Sequence, residues 1–195
     1  MVRRNNVIAA IAVCALAASA PAAFAGSTSY DFSVAGAASE VTPFTIQGAR
    51  FSSPGDPGAF TFGPNGGLFS DLGSWVLSSA GSVETLDISF SRLQTALGFD
   101  FALGDLLGLG GNDTLTVTTN TGVVLDAVAG LVGSDFFPEG SASLSDPGQF
   151  SSVTITSDYP IVIADMTSTA PEPTSLAIFG AGMIGLAAFG RRRRG

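Results

Sequence analysis

The chain has 195 residues, 16 acidic and 8 basic side chains, one cysteine and no histidine, a formal net charge of −8 and a mean hydropathy of +0.43. That length allows one ordinary domain once terminal segments are set aside, and the hydropathy is high for a soluble one. Lacking histidine, the chain has none of the commonest general base, and with a lone cysteine it cannot form an internal disulfide.

The N-terminus opens with "MVRR", followed by the uncharged apolar run "VIAAIAVCALAA" and the small-residue stretch "PAAFAG". This order predicts a secretory signal peptide over residues 1–25, with Ala23 and Ala25 at the −3 and −1 positions of the cleavage site. The run is shorter than the roughly 20 helical residues that span a bilayer, which argues against a retained anchor. Cys14 lies inside this segment, so the mature chain is expected to have no thiol, no disulfide and no thiolate metal site.

Residues 26–168 are β in character. Apolar residues recur at period two in "VETLDISF", "LGFDFAL", "TLTVTTN" and "SSVTITS", a pattern that sets one face on a core and the other in water. Further strands are expected at "SYDFSV", "FTIQGARF", "AFTF", "WVLSS", "GVVLDAV" and "IVIADMT". Turn signals separate them at "SPGDPG", "GPNGG", "TNTG" and "SDPG". Eight to eleven short strands in this span predict an all-β, antiparallel β-sandwich, jelly-roll-like in type.

Charge separates this body from the ends. Residues 26–170 hold 15 of the 16 acids against two arginines, Arg50 and Arg92, a balance of −13. Such a surface repels phosphate backbones, which excludes nucleic acid as a partner.

Four chemistries remain to be weighed for the β body. With no histidine and no mature cysteine, acid–base catalysis would fall to paired carboxylates, as in a glycosidase, but no spacing selects a pair. The chain is therefore expected not to be an enzyme and to need no cofactor. "GLGGNDTLT" fits a calcium-binding nonapeptide apart from Leu109, and would make Asp113 a metal ligand. Such repeats bind only when stacked, and this one occurs once, so a glycine-rich turn into a strand is the preferred reading and no metal site is assigned. For carbohydrate binding, Trp75 in "LGSWVLSS" and then Tyr159 are the aromatic side chains most suited to contact a sugar. A packing role for Trp75 at a sheet edge competes with that assignment. The fourth reading, a non-catalytic matrix or surface component, is preferred, with a carbohydrate-binding module as the alternative.

The tail reads "APEPTSLAIFGAGMIGLAAFGRRRRG". Thr174 to Gly190 are 17 uncharged residues, about 26 Å as a helix and near the lower limit for a membrane span. Arg191, Arg192, Arg193 and Arg194 follow directly and are expected to hold this end on the cytoplasmic side. Pro171 and Pro173 flank Glu172 and disfavour helix there, and "TSTAPEPTS" reads as an extended linker.

Pro171, Glu172 and Pro173, then a short apolar helix, then a terminal arginine cluster resemble a PEP-CTERM sorting signal, here residues 169–195. The resemblance implies recognition by a membrane exosortase of a Gram-negative bacterium, an inner-membrane-anchored precursor and processing near the motif. It further implies delivery to the cell surface or to the exopolysaccharide of a biofilm matrix. Glu172 is then a recognition element and not a catalytic acid. "VETLDISFSRLQTALGFDFAL" is similar in composition to strand pairs of surface domains that carry this signal, where a sandwich is expected.

Overall fold

The computed structural model describes residues 26–35, 42–54, 60–79, 85–104, 113–131 and 137–171, together with Gly182. Ser27–Pro171 form one compact unit. The predicted signal peptide, including Ala23 and Ala25, the apolar span apart from Gly182, and the arginine cluster lie outside the described residues. Among the described residues no helix is long and apolar enough to cross a membrane.

The described residues of the compact unit form ten strands: β1 (Ser27–Ser29), β2 (Phe44–Ile46), β3 (Ala49–Ser52), β4 (Phe60–Pro64), β5 (Trp75–Ser79), β6 (Thr85–Leu103), β7 (Asp113–Thr119), β8 (Val124–Ala129), β9 (Glu139–Ser157) and β10 (Ile161–Thr169). Every strand pairing is antiparallel. Period-two alternation of apolar and hydroxyl side chains accounts for most of them, as in β7, where Leu115 and Val117 are buried between Thr114, Thr116 and Thr118.

Two long strands, β6 and β9, connect two layers. Along β6 the residues that enter the main core are Leu86, Ile88 and Phe90 and then Leu97, Phe99, Phe101 and Leu103, so the inward parity flips midway. The flip coincides with register shifts against β9 between Ser89 and Ala96. An irregularity of this kind bends a strand and re-aims its side chains. The first half of β6 pairs with β3 and with residues 150–156 of β9, and the second half with β10 and residues 139–145 of β9. One layer therefore runs β2-β3-β6-β9-β7-β8 and the other β4-β5-β10-β6-β9, with β1 on β10.

The inner faces of both layers contribute to a single core containing Phe51, Phe60, Phe101, Phe150, Leu86, Ile88, Ile155 and Ile161. This is a β-sandwich whose layers share two strands. Phe51 is at its aromatic centre, stacked on Phe44 at 4.7 Å and edge-on to Phe32 at 6.0 Å. Burying each such ring contributes about 2–3 kcal/mol relative to exposure. A smaller cluster of Leu72, Val76, Ala102, Val162 and Ala164, with Phe69 beside it, forms on the outer face of the second layer.

Four local expectations change. "VETLDISF" and "LGFDFAL" are halves of one strand. "SDPG" is not a turn but a deviation within β9, where Pro147 cannot donate to a ladder and Gln149 has φ +62°. "FTIQGARF" is a hairpin, with Gln47 and Gly48 at φ +48° and +84°, the signs of a type I′ turn. "SYDFSV" does not continue as a strand. The Asp31 carboxylate accepts the Ser33 N–H at 2.9 Å, a local bond that turns the chain into one 3-10 turn at Phe32–Ala35.

Candidate functional site

The exit of the chain from the domain is narrowly defined. Thr169, the last residue of β10, lies between Ala96 of β6 and Ser27 of β1, and its carbonyl accepts the Thr95 hydroxyl at 3.1 Å. Pro171 is two residues further on, so the expected linker "TSTAPEPTS" begins as ladder: Thr167, Ser168 and Thr169 are strand residues paired on both sides. Glu172 and Pro173 lie outside the described residues.

Trp75 opens β5 opposite Pro64, half-buried and packed against the main core. Tyr159, between β9 and β10, is likewise half-buried against the core, and its N–H donates to the Ser157 hydroxyl at 3.1 Å. Leu77 pairs with Ile163, so Trp75 sits toward one end of the β5–β10 ladder while Tyr159 precedes the other. The fold does not bring the two aromatics together as one sugar platform. Asp113 begins β7, buried and paired with Ala129. Among the described residues no three acidic, histidine or cysteine side chains gather as a metal site.

Two acidic residues that sequence reasoning passed over have structural duties. Glu139 is buried, and its two carboxylate oxygens accept the Ser70 N–H at 2.9 Å and the Asp71 N–H at 2.8 Å. This clamps the 65–74 loop over the second layer, where the Asn65 side chain also bonds the Phe69 and Leu72 carbonyls. The signal was a lone acid after an apolar run, "FFPEG". Buried Asp146 accepts the Gly148 N–H at 2.7 Å and the Thr121 hydroxyl, tying the deviation in β9 to the β7–β8 turn.

The outer face of the first layer carries an organised polar surface. Register sets its side chains in rows across the strands: Thr45, Arg50, Ser89 and Ser152; then Ser52, Asp87, Thr154 and Thr118; then Thr85, Thr156, Thr116 and Asp126. All are exposed or half-exposed. Neighbouring strands are ~4.8 Å apart and same-face residues along a strand ~6.8 Å apart, so the rows form a regular array. Two carboxylates are oriented within it: Asp87 accepts the Thr154 hydroxyl at 2.6 Å and Asp126 the Thr116 hydroxyl at 2.7 Å.

Two ionisation shifts stand out among the described residues. Burial raises the Tyr30 phenol above its usual value, an effect opposed by its 2.8 Å hydrogen bond with the Ser168 hydroxyl. Hydrogen bonds from Ser33, first its side chain and then its backbone, lower exposed Asp31.

With the geometry established, comparison with known proteins bears on the fold and on the tail. The K1 cleaved adhesin domain of Lys-gingipain from Porphyromonas gingivalis W83 aligns over 75% of this chain and 99% of its own at 10% identity, with a TM-score of 0.50. The K2 cleaved adhesin domain of Lys-gingipain gives 13% identity, coverage of 74% and 99%, and a TM-score of 0.48. CsCBM6-3 from Clostridium stercorarium, solved in complex with cellobiose, gives 12% identity, coverage of 70% and 93%, and a TM-score of 0.37. At such identities the K1 likeness speaks to fold alone. No curated protein matches the sequence. Residues 169–194 match the PEP-CTERM protein-sorting motif, which identifies this chain as one that carries that C-terminal sorting signal.

Proposed function

We propose that this is an exported protein of a Gram-negative bacterium, sorted by an exosortase and delivered to the cell surface or exopolysaccharide matrix. There its jelly-roll-like β domain acts without catalysis as a structural or interaction component. The observation that carries the reading is the match at residues 169–194, which begins as β10 ends. In this reading residues 1–25 are removed after Ala25, the 174–190 span holds the precursor in the inner membrane, and Arg191 to Arg194 stop transfer.

The test is the intact mass of the protein recovered from the cell surface, beside the Glu172→Ala variant. The expected mass lacks residues 1–25 and the segment beyond the Pro-Glu-Pro motif, and the variant is expected to accumulate in the inner-membrane fraction with its fold intact. Normal surface delivery of the variant would overturn the sorting claim. A surface mass that retains the arginines would replace processing with a permanent anchor.

A carbohydrate-binding role is the alternative. What favours it is the hydroxyl-lined outer face of the first layer, since hydroxyl and carboxylate groups are suited to hydrogen-bonding a polyol.

A further inference from the structure

We propose that the outer face of the first layer, centred on Thr154, Thr156, Thr116 and Thr118, is a docking surface for a neutral polysaccharide. The inference rests on the matrix destination proposed above and specifies which surface of the domain meets the matrix.

Charge and composition select the occupant. The array carries Asp87 and Asp126 against Arg50, on a domain whose overall balance is strongly acidic, so anionic polymers and anionic membrane surfaces are repelled. It contains no aromatic side chain, and its large apolar residues, Val124 and Val128, are confined to the outermost strand β8. A protein partner would need a buried aromatic or aliphatic anchor at the centre of the contact, which is where this face has threonines. Asp87 and Asp126 are on strands separated by β9 and β7, about 14 Å apart at three strand spacings, so they do not converge on a cation.

A neutral polyol satisfies the face. Each carboxylate is held in place by one threonine hydroxyl, which occupies one oxygen and leaves the other to accept from an external hydroxyl. Between these acceptors, Thr118 and Thr156 present hydroxyls that both donate and accept. A glycan laid across the strands meets a hydrogen-bonding group at each ~4.8 Å step. With no ring to stack on, binding is driven by hydrogen bonds, weak at a single site and strengthened when several copies engage one polymer.

The test is native affinity electrophoresis of the protein recovered from the cell surface, in gels containing hydroxyethyl cellulose or the purified neutral exopolysaccharide of the producing cells. Wild type is expected to be retarded by at least one of the two. T118V/T156V, which keeps shape and β-propensity, is expected to bind about tenfold more weakly, as the loss of two hydrogen bonds implies. S141A/S143A, on exposed positions of β9 in the other layer, is expected to migrate like wild type. If T118V/T156V lowers the melting temperature, D126N gives the same reading from the rim of the face.

Unretarded wild type in both gels, or undiminished retardation of both T118V/T156V and D126N, overturns the proposal. So does a dimer in light scattering that T118V/T156V abolishes, which would assign the face to a second copy of the chain. Failure here leaves sorting intact, because the surface mass is unaffected. Failure of sorting would instead appear as membrane retention of a protein that still binds once purified.

Discussion

Ser27 and Thr169 face each other across the β1–β10 ladder, so the polypeptide enters and leaves the domain at one place. β1 thereby covers the edge of β10 at the point where the sorting-motif match begins. Deleting residues 27–29 removes three ladder positions, and exposed strand edges open readily. The Tyr30 N–H donates to the Met166 carbonyl, so by register Ser168 is the β10 residue whose N–H faces β1, and we expect its amide exchange to accelerate by at least about tenfold while the β6–β9 ladder keeps its protection. Hydrogen-exchange mass spectrometry checks this, and unchanged protection at Ser168 would mean that the exit is secured without β1.

Glu139 supplies the second prediction. Its carboxylate satisfies two backbone donors of a loop that has no strand partner of its own. Glu139→Ala abandons both donors and is expected to cost about 2–4 kcal/mol, at 1–3 kcal/mol for each unsatisfied group less the relief that water brings to a part-buried loop. Glu139→Gln keeps one acceptor and should cost about half as much. Urea midpoints read the difference, and equal losses in the two variants would mean that side-chain volume, not the paired acceptance, is what matters.

Gly140 is required for packing. A Cβ built there would lie 2.7 Å from the Val128 carbonyl oxygen and 3.0 Å from the Phe101 ring. Neither can yield cheaply, since one is strand backbone and the other a fully buried ring. Gly140→Ala is expected to destabilise by about 3 kcal/mol, the upper part of the overpacking range. Gly122, at φ +90° in the β7–β8 turn with open space around it, should suffer a backbone penalty of only about 1 kcal/mol on the same change. Thermal melts of the two variants test the ordering.

Much of the β architecture was legible because alternation is a local property. Leu115, Val117, Val153 and Ile155 could be assigned inward from spacing alone, and each is buried. What was not legible depends on pairing between distant segments. The fusion of two predicted strands into β6 arises from a register shift against β9, about 50 residues away, that no local pattern encodes. Glu139 looked like any surface acid because its partners, Ser70 and Asp71, are nearly 70 residues earlier in the chain. The hydroxyl array was hidden for the same reason: β9 and β7 each show a Thr-x-Thr, but only the register of β6, β9, β7 and β8 sets these in rows beside Asp87 and Asp126. Trp75 in "LGSWVLSS" suits a sugar contact by residue type and a packing role at a sheet edge by its setting, and it is half-buried against the core.

That contrast makes Trp75 a discriminating probe. Trp75→Ala removes a large half-buried ring and is expected to cost about 2 kcal/mol, less than the 3–5 kcal/mol of a fully buried aromatic. If the hydroxyl face is what meets polysaccharide, retardation in the affinity gel should be unchanged below the melting transition. Loss of retardation with the fold intact would return the binding site to Trp75.

Tyr30 gives the chain an unusually clean alkaline titration. The sequence has no lysine, its lone cysteine lies in the predicted signal peptide, and its only tyrosines are Tyr30 and Tyr159. Because burial raises the Tyr30 value in the folded state, the folded protein holds that proton more tightly than the unfolded chain does. The associated stability is fully present below the ordinary tyrosine value of about 10 and is lost as pH rises through the raised folded value. Wild type should therefore lose stability progressively above pH ~10. Tyr30→Phe should begin about 1 kcal/mol lower at neutral pH, having lost the bond to Ser168, yet show a flatter alkaline limb. Urea denaturation at intervals between pH 8 and pH 11.5 makes the comparison, with the ionisation followed by tyrosinate absorbance. Parallel curves for the two proteins would show that Tyr30 ionises as readily in the fold as out of it, and that the core around Phe51 and Phe90 does not shield its hydroxyl.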